Sequence, residues 1–240
     1  MALFPEAMLR DARSGGACKG RGVLDYLLNA LITLFVTIDP IGLAPIFVGL
    51  TRGMSRGQRR QTAIRATVTA TIILYAFALI GEGLLTFLGI SLAAFRISGG
   101  LLLFWIAFEM VFERRDQRKL ANAQKAIEEE RVHELADIHH LAVFPLAIPL
   151  IAGPGAISAT ILIAASAPST LGLIGLLVII GALVGACLAV FLLAGPLDRM
   201  LGTTGRIVLT RLLGVLLSAL AVQFVADGVT EIARAAMRAG

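Results

Sequence analysis

A chain of 240 residues that is 58 % hydrophobic and 15 % charged, with mean hydropathy +0.87, has too few charges to cover a soluble fold of that size. From Ile138 to Leu197, 60 residues pass without one Asp, Glu, Lys or Arg, room for two bilayer crossings at about 20 residues each. The composition excludes a soluble protein and specifies a polytopic membrane protein. The net charge of +5 would suggest nucleic acid in a soluble chain, but the basic residues fall in short connections between apolar spans, where they set orientation; no nucleic-acid partner is expected.

In chain order, residues 1–22 read as a flexible leader. They carry Arg10, Arg13, Lys19 and Arg21 without an apolar core, which is no signal peptide. Six candidate spans follow, at about 26–51, 62–81, 95–112, 141–166, 171–194 and 207–228. A charged segment, 113–140, divides them into two sets of three, giving units 23–112 and 141–230 and a tail, 231–240. Of the 21 basic residues, 14 follow spans one, three and five, and seven lie on the other side. Positive-inside counting then puts those connections in the cytoplasm and both termini outside.

The two sets look related. A shift of 115 residues lays Arg96, Gly99, Leu101 and Leu102 on Arg211, Gly214, Leu216 and Leu217, at the start of the third span of each set. Three spans is an odd number, so related halves must be inverted, which is a transporter architecture. The expected fold is all-α and polytopic: six transmembrane helices as two inverted three-helix repeats.

The first span of each half is interrupted. Asp39-Pro40, followed by Gly42 and Pro45, sits at the centre of one; Pro145, Pro149 and Gly153-Pro154-Gly155 occupy the equivalent depth in the other. Proline costs ~3 kcal/mol in a helix interior, and Asp at a span centre a further ~2.5–3.5 kcal/mol on insertion scales. Asp is a favoured N-cap and Pro a favoured first residue, so each dipeptide reads as the start of a new half-helix. Backbone exposed at that depth needs protein or a wet cavity around it. Two readings follow: a solute site, or a proline kink with Asp39 satisfied by a neighbouring helix.

The run Phe35-Val-Thr-Ile-Asp39-Pro40-Ile-Gly42-Leu-Ala-Pro45-Ile-Phe47, then Phe95-Arg96-Ile-Ser-Gly99-Gly100, then Pro145 to Ser158 with Gly153-Pro154-Gly155, resembles the MarC family of bacterial inner-membrane proteins over about residues 23–230. Some members of that family transport small neutral amino acids such as glycine and alanine. The resemblance implies the same here, in a bacterial inner membrane. Substrate-binding candidates are Asp39, Pro40, Gly42, Gly153, Pro154, Gly155 and Ser158. An amino acid's ammonium would pair with Asp39, and its carboxylate would take N–H groups around Gly155 to Ser158.

Asp39, Glu109, Gln223 and Asp227 are candidates for coupling to a proton or sodium ion, or for gating; for the last three, a wet-end carboxylate or inter-helix hydrogen bonding is the plainer reading. Glu82, Arg96 and Arg211 read as interfacial side chains. Gly181 and Gly185 match a small-residue packing spacing. No phosphate-binding loop, hydrolase elbow or metal-ligand set is present in the sequence, so no enzyme, cofactor or metal is expected. The expected function is secondary transport by alternating access around a midplane site. A channel or passive facilitator, or a non-transporting scaffold or regulator, are the alternatives. The partners are a small solute and the lipid bilayer, and a homo-oligomer is compatible with the sequence.

Overall fold

The computed structural model describes residues 17–51, 54–112 and 146–239, and every regular element among them is helical. The 113–140 loop, Pro145 and residues 1–16 of the leader lie outside the described residues. The elements are α1 (Ala17–Ile38), α2 (Pro40–Leu50), α3 (Arg56–Phe87), α4 (Leu92–Val111), a π-helical segment (Leu146–Ile151), α5 (Pro154–Ala165), α6 (Thr170–Leu192) and α7 (Ala194–Ala239). Serines start three of them. Ser55 forms a capping box with Gln58 on α3, Ser91 accepts from the Ala94 amide on α4, and Ser169 accepts from the Gly172 amide on α6.

Five helical stretches are long and apolar enough to cross a bilayer: Gly22–Leu50 taken across its break, Arg56–Phe87, Leu92–Val111, Thr170–Leu192 and Ile207–Arg238. The 12 residues of α5 rise only about 18 Å, short of the ~30 Å hydrocarbon core. With the π-helical segment before it, α5 occupies the place of the expected fourth span.

Contacts between helices fix their directions. Tyr26 of α1 donates to the Ile163 carbonyl of α5 (3.0 Å), and Thr37 lies beside Gly155, so α1 and α5 are antiparallel. Gly99 meets Leu162 while Leu103 and Ile106 meet Gly155, so α4 and α5 are antiparallel as well. Ala93 pairs with Gly228 and Met110 with Gly214, which makes α4 and α7 antiparallel. Leu27 packs on Gly175 and Phe47 on Phe191, so α6 runs parallel to α1–α2. From α4 onward the directions alternate along the chain, with α5 in the place of the expected fourth span.

The α4–α7 seam is built on glycine. A Cβ on Gly228 would stand 2.7 Å from the Ala93 carbonyl oxygen, and one on Gly100 would stand 2.9 Å from that of Ala221. Gly99 serves α5 instead. Of the Gly181/Gly185 pair, Gly181 faces the Tyr75 hydroxyl, whereas a Cβ on Gly185 would meet nothing within 4 Å.

Three boundaries differ from the sequence reading. The break expected at 195–206 is helical, because Pro196 falls in the first turn of α7, where a missing N–H costs nothing. That helix also runs to Ala239, through the segment read as a tail. At the other end, α1 begins at Ala17, inside the segment read as a leader.

The protein's two tyrosines both donate to backbone carbonyls of the second half: Tyr26 to Ile163 and Tyr75 to Leu177, each at 3.0 Å. Tyr75→Phe should lower stability by about 0.5–1.5 kcal/mol, the net worth of one such bond. Detergent-solubilised thermal unfolding, with Tyr26→Phe as the second variant, measures it.

Candidate functional site

The first break is made by one residue. The Asp39 amide donates to the Phe35 carbonyl (2.9 Å) and closes α1; its own carbonyl accepts from the Leu43 amide (3.2 Å) and opens α2. Between these bonds the Asp39 backbone sits at φ 56°, ψ 66°, the left-handed region. Asp enters that region more readily than most residues, though at about 1–3 kcal/mol. Pro40 follows at the first helical position, where its lack of an N–H is harmless. The carboxylate Oδ1 accepts from the Gly42 amide (3.1 Å), so Asp39 caps α2 as its sequence implies. Asp39 is 1 % exposed.

Gly42 leaves room for that carboxylate. A Cβ there would lie 2.2 Å from Asp39 Oδ2 and 2.8 Å from its Cγ. The tight turn of Asp39 over Gly42 is thus fixed by the second residue's missing side chain.

The second break is wider. Within Leu146–Ile151 the hydrogen bonding loosens to the π pattern, and the Ala152 amide reaches back to Ala147 (2.9 Å). Pro149 supplies no N–H to the ordinary ladder, which favours such a shift. Gly153 then caps α5 without a side-chain bond, and Pro154 opens it. Since the Ile157 amide is taken by the Gly153 carbonyl (3.0 Å), the amides without an intrahelical partner narrow to Gly155 and Ala156. The expected donor set reaching to Ser158 is corrected accordingly.

The breaks adjoin. A Cβ on Gly155 would stand 3.4 Å from Thr37 Cγ2, two residues before Asp39, and 2.2 Å from Ile106 Cδ1 on α4. Because α1 and α5 are antiparallel, α2 and α5 start at one level and run apart. Two positive half-helix ends therefore flank the Asp39 region. Ser158 stands one turn along α5, beside Gly99 of α4.

The remaining candidates lie elsewhere. Glu109, 8 % exposed near the end of α4, accepts from Trp105 Nε1 (2.9 Å). On α7, exposed Gln223 donates to Asp227 (2.8 Å), an i,i+4 pair on the helix surface. Arg96, read as an interfacial anchor, forms an ion pair with Glu231 (2.8 Å).

Two features escaped the sequence reading. Asn29, Thr33 and Thr37 form a polar track at i,i+4 spacing along α1 to the break: Thr33 Oγ1 donates to Asn29 Oδ1 (3.2 Å) and Thr37 Oγ1 to the Thr33 carbonyl. Their spacing within an apolar span was the available signal. At the far end of α2, fully buried Phe47 and Phe191 stack at 4.4 Å, with the Arg59 guanidinium 5.1 Å over the Phe47 ring. No local pattern announces that contact.

Broken helices that adjoin near a buried aspartate, within a bundle of apolar crossings, define a multi-pass helical membrane protein. Residues 24–233 match the family described as MarC family integral membrane protein, and the chain belongs to it. It is 35 % identical to a UPF0056 membrane protein of Archaeoglobus fulgidus, covering 88 % of this chain and 95 % of that one. It is also 35 % identical to the UPF0056 membrane protein YhcE of Escherichia coli (84 % and 90 % covered) and 38 % identical to the UPF0056 membrane protein MJ1677 of Methanocaldococcus jannaschii (86 % and 97 %). No solved structure matches the chain.

Proposed function

We propose that this protein is a secondary transporter of small neutral amino acids or similar zwitterions, working by alternating access around the two helix breaks in a bacterial inner membrane. The observation that carries the reading is the approach of Gly155 to Thr37, which brings the Asp39 carboxylate and the open start of α5 to one level inside the bundle. The carboxylate suits an ammonium, and the Gly155 and Ala156 amides suit a carboxylate. A zwitterion satisfies both.

The pairing of elements supports two inverted repeats. The first spans (α1 with α5), the second spans (α3 with α6) and the third spans (α4 with α7) each pack against their counterparts. Rocking of one half against the other would open the site alternately. In this reading the Asn29–Thr33–Thr37 track runs along α1 to the breaks from one side, and the buried Phe47–Phe191 stack lies beyond them on the other. Asp39 is the proposed point of coupling to a proton or sodium ion, and both termini face outside.

Uptake by purified protein in proteoliposomes tests this. Labelled glycine and alanine should enter saturably, and should accumulate uphill under an imposed proton or sodium gradient. Absence of flux across a panel of neutral amino acids, under both gradients, would refute it.

A further inference from the structure

Close packing of α7 on α4 ends where Gly228 meets the Ala93 carbonyl, one residue into α4. Beyond that point α7 continues for about three turns. These turns have two faces. Val229, Ile232 and Met237 are apolar and exposed by 52 %, 44 % and 75 %. At the complementary helical spacing, Asp227, Thr230, Glu231, Arg234 and Arg238 line a cleft of about 610 Å³ completed by Arg96 of α4. A helix segment apolar on one side and charged on the other, at the end of a membrane crossing, belongs at the bilayer–water boundary.

We propose that this cleft binds the headgroup of a phospholipid carrying both a phosphate and a primary ammonium, the phosphoethanolamine type. Arg96 is engaged by Glu231 at 2.8 Å. Arg234 and Arg238 then supply the guanidinium donors that suit a phosphate. Asp227, another lining residue of the cleft, accepts from Gln223 through Oδ1, and its carboxylate keeps capacity to accept from a ligand's N–H. Charges of both signs in one cleft select a headgroup with both. A purely anionic headgroup would meet Asp227 and Glu231, and a trimethylammonium headgroup has no N–H to donate.

The test uses the full chain in detergent micelles, titrated with phosphatidylethanolamine, phosphatidylcholine or phosphatidylglycerol of identical acyl chains, with the thermal unfolding midpoint as readout. Phosphatidylethanolamine should raise the midpoint most. The double variant Arg234→Gln, Arg238→Gln should weaken its apparent affinity by about fivefold per arginine at most, the range for exposed ion pairs. Asp227→Asn should erase the preference over phosphatidylcholine. Equal shifts by all three lipids, or a preference that survives both variants, would overturn the proposal. Soluble phosphoethanolamine acting as strongly as the lipid would overturn the assignment to a membrane ligand. Uptake activity does not enter this readout, so its outcome is separate from that of the transport reading.

Discussion

Asp39→Asn is expected to reduce substrate uptake by more than about tenfold, the equivalent of at least 1.4 kcal/mol of lost interaction, while the protein still folds. Asn caps a helix about as well as Asp and tolerates the left-handed backbone that position 39 adopts. The substitution therefore preserves the break and removes only the charge. Asp39→Ala is the control: it loses the bond to the Gly42 amide as well, adding about 0.5–2 kcal/mol of destabilisation. Equal uptake by wild type and the Asn variant, measured at matched reconstitution, would reduce Asp39 to a helix cap.

Gly42→Ala is expected to be nearly as damaging, by a different route. Its Cβ would stand 2.2 Å from Asp39 Oδ2, so the carboxylate must rotate away and give up the cap. A cost of about 1–3 kcal/mol follows from overpacking at a buried site, and uptake should fall with it. The effect should depend on the aspartate. In an Asp39→Ala background the obstructing atoms are gone, and Gly42→Ala should then cost little. A thermal-unfolding double-mutant cycle reads this coupling; additive losses would mean that Gly42 matters for some reason other than the carboxylate.

Much of the site was legible because its signals are local. Asp39-Pro40 and Gly153-Pro154 announce helix starts through the chemistry of capping and of the missing prolyl N–H, and both starts are where the sequence puts them. The crossings other than the shortened fourth were equally legible from apolar length. The left-handed backbone at Asp39 was not, because Asp caps helices in extended backbone more commonly. Nor was the π-helical turn, whose register depends on how the chain accommodates Pro149 within the bundle. Phe47, Phe191 and Arg59 come together from three helices, and their separation along the chain hides the contact. The connection between the spans ending at 194 and starting at 207 misled in the opposite direction. It is helical, and a proline in the first helical turn breaks nothing.

The central claim is that the two breaks form one substrate site. Alkylation of a single cysteine introduced by Ser158→Cys, in a background with Cys18→Ala and Cys187→Ala, tests it most directly. Ser158 lies on α5, one turn from Gly155. Saturating glycine or alanine should slow labelling at position 158, and Asp39→Asn on the partner break should abolish that protection. Labelling at a rate indifferent to any transported amino acid, or protection that persists without the Asp39 charge, would contradict a shared site.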